Sequence, residues 1–345
     1  MNPLIWSTLM VSLATSTIIT MSSNHWLLAW LGLELNTLSI LPMIIKLHHP
    51  RSTEATTKYF LVQATAATLI LLASITNTWQ TGQWTISHMT PTTTLLTTSA
   101  IMLKLGITPM HLWYPQVLQG TTMGTELTIS TWQKLAPLTL LYMTQPALNP
   151  TILLALGLCS ALVGGWAGLN QTQTRMILAF SSIAHMGWLL TEIALNPSLT
   201  TLNHGLYMWL QPLPGFMPIA TTTKTITDLG TAWPLAPPTL EMTMSGMVSM
   251  GGLRQRAGFK PKCMFHKVLS TTGLTTLATL ILMTSLPSLF FYIRLAYLTL
   301  LTTPPTTTNT EHKWRFKLNQ STHMAPMIMT TTLLLPMTAT LYTTT

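Results

Sequence analysis

The chain alternates apolar runs of membrane-crossing length with short polar turns. A helix rises 1.5 Å per residue and a bilayer core is about 30 Å thick, so about 20 apolar residues cross it. Runs at about residues 5–21, 26–46, 57–78, 124–143, 150–168, up to about 195, 269–292 and 324–342 read as spans. A run at about 199–222 is interrupted by Pro212 and Pro214, and one beginning near 235 ends indistinctly between 252 and 267. The stretch 92–120 is long enough to span but holds Lys104, Pro109, His111 and Pro115. Proline removes a backbone donor and breaks a helix, and the freed carbonyls need partners inside a bilayer. The pattern predicts about eleven transmembrane helices with at least one broken.

Composition narrows the class. Only 7% of residues are charged, against about 25% in soluble domains, and mean hydropathy is +0.42. An all-α polytopic membrane protein follows, a single integral membrane domain over residues 1–345. The net charge of +9 points to no nucleic acid, because basic residues sit in short loops where they set orientation. They place the N-terminus inside and the C-terminus outside. The cluster Arg254, Arg256, Lys260, Lys262 and Lys267 breaks this pattern: either the span count is off by one there, or part of the cluster lies inside a broken span. Met1-Asn2-Pro3 shows no basic segment or cleavage site of a removable leader. Cys159 and Cys263 are too isolated for a disulfide framework, iron–sulfur or zinc site and read as unreactive buried thiols.

Buried charge is the candidate chemistry. Glu34 lies about eight residues into its span, roughly 12 Å deep, Lys104 inside the broken stretch, Lys134 about ten residues into its span and His185 at mid-depth. Such residues normally face a protein interior or water and mark ion pathways. A lysine and a glutamate so placed also make a static ion pair locking two helices. His111 and His185 read equally as satisfied core histidines, and Lys262 as a loop residue. Glu126 and Glu192 lie nearer span ends. His48-His49 reads as a solvated loop without a third metal ligand. If residues 1–145 and 148–293 are two five-span copies, the odd number forces opposite orientations, an inverted repeat of the transporter kind, with a C-terminal helix at about 323–342. The fourth span of each copy would be broken: Lys104 precedes Pro109 in one, and Pro261 adjoins Lys262 in the other.

A resemblance sharpens this reading. The runs Ser22-Ser23-Asn24-His25-Trp26, Gly32-Leu33-Glu34-Leu35-Asn36-Thr37, ATTKYFLVQ at 55–63, MLKLG at 102–106, Val117-Leu118-Gln119-Gly120, STWQKLAP at 130–137, GGWAGLNQT at 164–172 and SSIAHMGW at 181–188 are distinctive. They cover about residues 1–200, and similarity resumes over about 268–320. The chain resembles the antiporter-like membrane-arm subunits of respiratory complex I, in particular the chain 2 family of mitochondrial NADH–ubiquinone oxidoreductases.

The resemblance implies antiporter-like inverted five-helix repeats with broken helices, in a multi-pass protein of the mitochondrial inner membrane. It implies a proton relay of Glu34, Lys104, Lys134 and Lys262, with His111 and His185 near the same axis. It implies proton pumping coupled to electron transfer elsewhere, hence a subunit of an H⁺-translocating NADH:ubiquinone reductase with no redox chemistry or cofactor of its own. NADH, FMN, iron–sulfur clusters and ubiquinone belong to the whole complex. Other membrane-arm subunits, including neighbouring antiporter-like ones, and lipids are the implied partners. The chain departs from the family pattern at Gln116, where the family reads Glu, at Met176, where a basic residue is usual, and over about 204–266. There Arg254 and Arg256 stand where the family carries apolar residues and proline. A stand-alone cation/proton antiporter and a non-conducting scaffold are the rival readings.

Overall fold

The structure is a computed structural model, and it describes residues 3–46, 48–212, 224–231, 237–254 and 256–300. The expected span at 324–342 and the second half of that at 199–222 lie outside the described residues. The described residues are helical, with α1 (Pro3–Ser22), α2 (Trp26–Ile45), α3 (Pro50–Thr81), α4 (Pro91–Leu105), α5 (Trp113–Gly120), α6 (Met123–Ser130), α7 (Leu135–Thr144), α8 (Pro150–Gly168), α9 (Thr174–Leu195) and α10 (Pro197–Leu210). Then come α11 (Ile226–Thr231), α12 (Pro237–Gly251), α13 (Phe259–Thr271) and α14 (Thr275–Leu300). Among them α1, α2, α3, α8, α9 and α14 are each long and apolar enough to cross a membrane. The chain forms two compact units, Met1–Leu156 and Gly157–Thr345.

In the first unit α3 begins seven residues earlier than the apolar pattern predicts. His49 supplies the reason. Its side chain accepts from the Arg51 amide, Ser52 bonds back to the His49 amide, and Pro50 opens the helix. His49 is therefore a helix cap, and the charged residues after it lie on a helix rather than in a loop. Glu54 and Lys58 form an exposed pair at 2.6 Å one turn apart.

The predicted break between Lys104 and Pro115 is present. Helix α4 ends at Gly106, whose φ of 68° is left-handed and cheap for glycine alone. Seven residues, 106–112, separate α4 from α5. The span at 124–143 carries a further break that its apolar pattern does not predict. It is two helices, α6 and α7, joined by a 3₁₀ turn at Trp132–Lys134. Pro137 lacks the amide that would bond to the Gln133 carbonyl, and its ring crowds that carbonyl. The chain therefore tightens one turn earlier.

The second unit contains a break of the same plan. Helix α12 begins at a proline and runs 15 residues, as α4 does. It ends at Gly252, with φ of 82°, and residues 252–258 separate it from α13. This resolves the basic cluster: Arg254, which is exposed, and Arg256 lie in the break, while Lys260, Lys262 and Lys267 ride on α13. Part of the cluster thus sits inside a broken span, and the next span, α14, begins at Thr275 rather than near 269. Two apolar clusters hold this unit. Ile177, Leu229, Leu240, Met247 and Phe291 belong to one, and Ala161, Trp188, Leu199, Phe265 and Ile281 to the other.

Candidate functional site: two buried polar sites

Each break carries a lysine inward. In the first unit Lys104 occupies the last turn of α4 and is 7% exposed; Lys134 occupies the 3₁₀ turn and is 3% exposed. Both line one cavity, together with Asn36, Thr37, Tyr59, Gln63, Tyr114 and Gln133. Water centres have about 20 Å³ of room there, enough for roughly one water.

The cavity is braced by hydrogen bonds. The Gln63 amide donates to the Lys104 carbonyl at 3.4 Å, one of the acceptors freed where α4 stops. The Gln133 amide donates to the Asn36 carbonyl at 3.3 Å. The Lys134 ammonium lies 5.1 Å from the Tyr114 ring centroid, a cation–π distance. Lys104 Nζ has no hydrogen-bond partner among the described residues.

Glu34 stands at the edge of this site. It is half-buried, and Thr37, a cavity residue, donates to its Oε2 at 3.3 Å. Glu34 acts electrostatically on Lys104 without a contact ion pair. The structure thus brings Glu34, Lys104 and Lys134 together. His111 lies in the break and is half-buried, but it does not line the cavity. The spacing of seven from Lys104 puts the two on one face only of an unbroken helix. Gln116 is exposed on α5, away from the cavity, so that departure leaves the site intact.

In the second unit Lys262 reaches back from the first turn of α13. Its ammonium donates to the carbonyls of Met250 and Gly251 at 3.2 Å each and lies 5.6 Å from the Trp188 ring centroid. It therefore caps the C-terminal end of α12, where free carbonyls and the helix dipole favour a cation. His266, one turn on, meets the same indole edge-to-face at 5.6 Å.

Three residues of one α9 stripe face this region, spaced three, four and seven apart as one helix face requires. His185 stacks on Tyr207 of α10 at 4.2 Å. Trp188 carries Lys262. Glu192, fully buried, accepts from the Asn203 amide of α10 at 2.7 Å. Sequence reasoning passed over Glu192 because it lies near a span end. Its α9 stripe, shared with His185, was the signal that could have found it. Among the described residues no group of three His, Cys, Asp or Glu could hold a metal ion.

Comparisons agree with this architecture. Residues 23–288 match the family described as NADH:quinone oxidoreductase/Mrp antiporter, TM. Residues 289–342 match that described as NADH dehydrogenase subunit 2 C-terminus. The NADH-ubiquinone oxidoreductase chain 2 of Struthio camelus is 48% identical over 338 residues, covering 97% of both chains. That of Xenopus laevis is 46% identical over 324 residues, covering 93% of this chain and 94% of the other. A chain of respiratory complex I from Thermus thermophilus superposes with a TM-score of 0.80 at 25% identity, covering 96% of this chain and 77% of that one. The sequence resemblance, the broken helices and these matches agree: the chain belongs to the NADH-ubiquinone oxidoreductase chain 2 family of antiporter-like membrane proteins.

Proposed function

We propose that this chain is a membrane-arm subunit of proton-pumping complex I in the mitochondrial inner membrane, and that it moves protons through its buried charges. One observation carries the reading: a cavity with room for water joins Lys104 to Lys134, and its Thr37 hydroxyl bonds Glu34. A lysine removed from water resists being charged, and a carboxylate nearby favours the charged form. Movement that changes the reach of Glu34 therefore loads and unloads Lys104. Water in the cavity passes the proton between Lys104 and Lys134.

In this reading residues 1–145 and 148–293 are copies of one plan, supported by the matching lengths of α4 and α12 and of the breaks after them. Lys262 takes the corresponding role in the second copy. His185 assists near it, and His111 lies on the approach to Lys104. Electron carriers, namely NADH, FMN, iron–sulfur clusters and ubiquinone, belong to other subunits. Neighbouring membrane-arm subunits and lipids cover the exposed apolar faces.

The test is Lys104→Met in the assembled complex. The pumped proton/electron ratio or turnover falls if the relay operates. Unchanged pumping with normal assembly favours the scaffold reading.

A further inference from the structure

Glu192 belongs to no part of the relay described so far, yet it is the most deeply buried acid among the described residues. Its Oε1 accepts one hydrogen bond, from Asn203, and its Oε2 accepts none among the described residues. One donor is too few for a carboxylate that stays ionised out of water. A positive charge or a proton must balance it.

Both are at hand. Trp188 and Glu192 lie one turn apart on the same face of α9, and the Lys262 ammonium lies on the Trp188 ring. The two charged groups act on one another electrostatically without a contact ion pair. Each is separately fixed, the ammonium by the end of α12 and the carboxylate by Asn203. His266, one turn on from Lys262, meets the same indole edge-to-face.

We propose that Glu192 and Lys262 form a second proton-loading pair, with Glu192 as its proton-carrying acid and Asn203 and Trp188 as positioning residues. This rests on the reading that the chain moves protons. In the step, the Glu192 carboxylic O–H gives its proton through water to the neutral Lys262 amine, leaving a carboxylate and an ammonium. The reverse transfer resets the pair, and no oxidant or reductant is involved.

A static role for Glu192 would be one interhelical hydrogen bond between α9 and α10. Glu192→Gln keeps that bond, since the new side-chain oxygen still accepts from Asn203, and removes only the proton and the charge. In the intact complex, reconstituted in vesicles, the pair predicts roughly a hundredfold fall in NADH-driven proton uptake, the lower end of what a positioned acid contributes. It also predicts that Glu192→Gln with Lys262→Met loses no more than the worse single variant, because the two act as one unit. Wild-type uptake in Glu192→Gln, or losses that multiply, would overturn the pair. Lys104→Met separates the failures: if it stops pumping while Glu192→Gln does not, the pair is wrong and the relay stands. Should Glu192→Gln not assemble, Asn203→Leu removes the donor and leaves the acid. A changed pH profile of proton uptake is then expected, and an unchanged one would overturn the pair.

Discussion

The Lys262 side chain packs closely over Gly252, in the space a Cβ there would crowd. A Cβ on that glycine would sit 3.0 Å from Nζ and 3.1 Å from Cδ of Lys262. The turn that ends α12 and the lysine that caps it are thus fitted to each other. The left-handed turn needs glycine, and the space that glycine leaves is where the lysine reaches the freed carbonyls.

Gly252→Ala is therefore expected to do two things. An alanine in the left-handed region costs about 1–2 kcal/mol, and its methyl crowds Lys262 and shifts the ammonium against the Met250 and Gly251 carbonyls. Gly82 is the control, because its φ is 71° and nothing lies within 4 Å of a Cβ there. Gly82→Ala should cost stability alone. Thermal unfolding of the complex checks the common loss, and proton uptake checks that only Gly252→Ala impairs transport.

Pro137→Ala restores the amide that the α6–α7 turn lacks and lifts the penalty of roughly 3 kcal/mol that proline would impose on a continuous helix. The span then tends to a continuous helix, which carries Lys134 away from its place over Tyr114. Assembly is expected to be normal and proton uptake to fall. Normal uptake would show that the 3₁₀ turn does not matter to the relay.

Glu54→Gln tests whether position matters, as opposed to charge in general. The Glu54–Lys58 pair is exposed on both sides, and such pairs contribute little. Stability and pumping should match wild type, in contrast to Lys104→Met. An equal loss in both variants would mean that charge at large, and not the cavity, supports transport.

Much of this was legible in the sequence, for physical reasons that differ by residue. Pro109 and Pro115 interrupt an apolar run, so the first break could be read directly. The family runs around Glu34, Lys104 and Lys134 named a site that the fold gathers around one cavity. The break at Lys134 escaped because 124–143 looks like one continuous span, and a lone Pro137 is tolerated in many membrane helices. Glu192 escaped because depth along a single helix does not show what neighbouring helices bury. Its surroundings come from α10 and α13, which only the fold supplies. His49 looked like half of a metal pair or a loop residue, and its capping role required seeing which amides the helix start leaves free.

The relay depends on water that joins Lys104 to Lys134. The most direct measurement is a map of the intact complex fine enough to place ordered waters. An ordered water in the cavity between Thr37, Lys104 and Lys134, within hydrogen-bonding distance of an ammonium, is the predicted result. A dry cavity closed by apolar packing between the two lysines would contradict it.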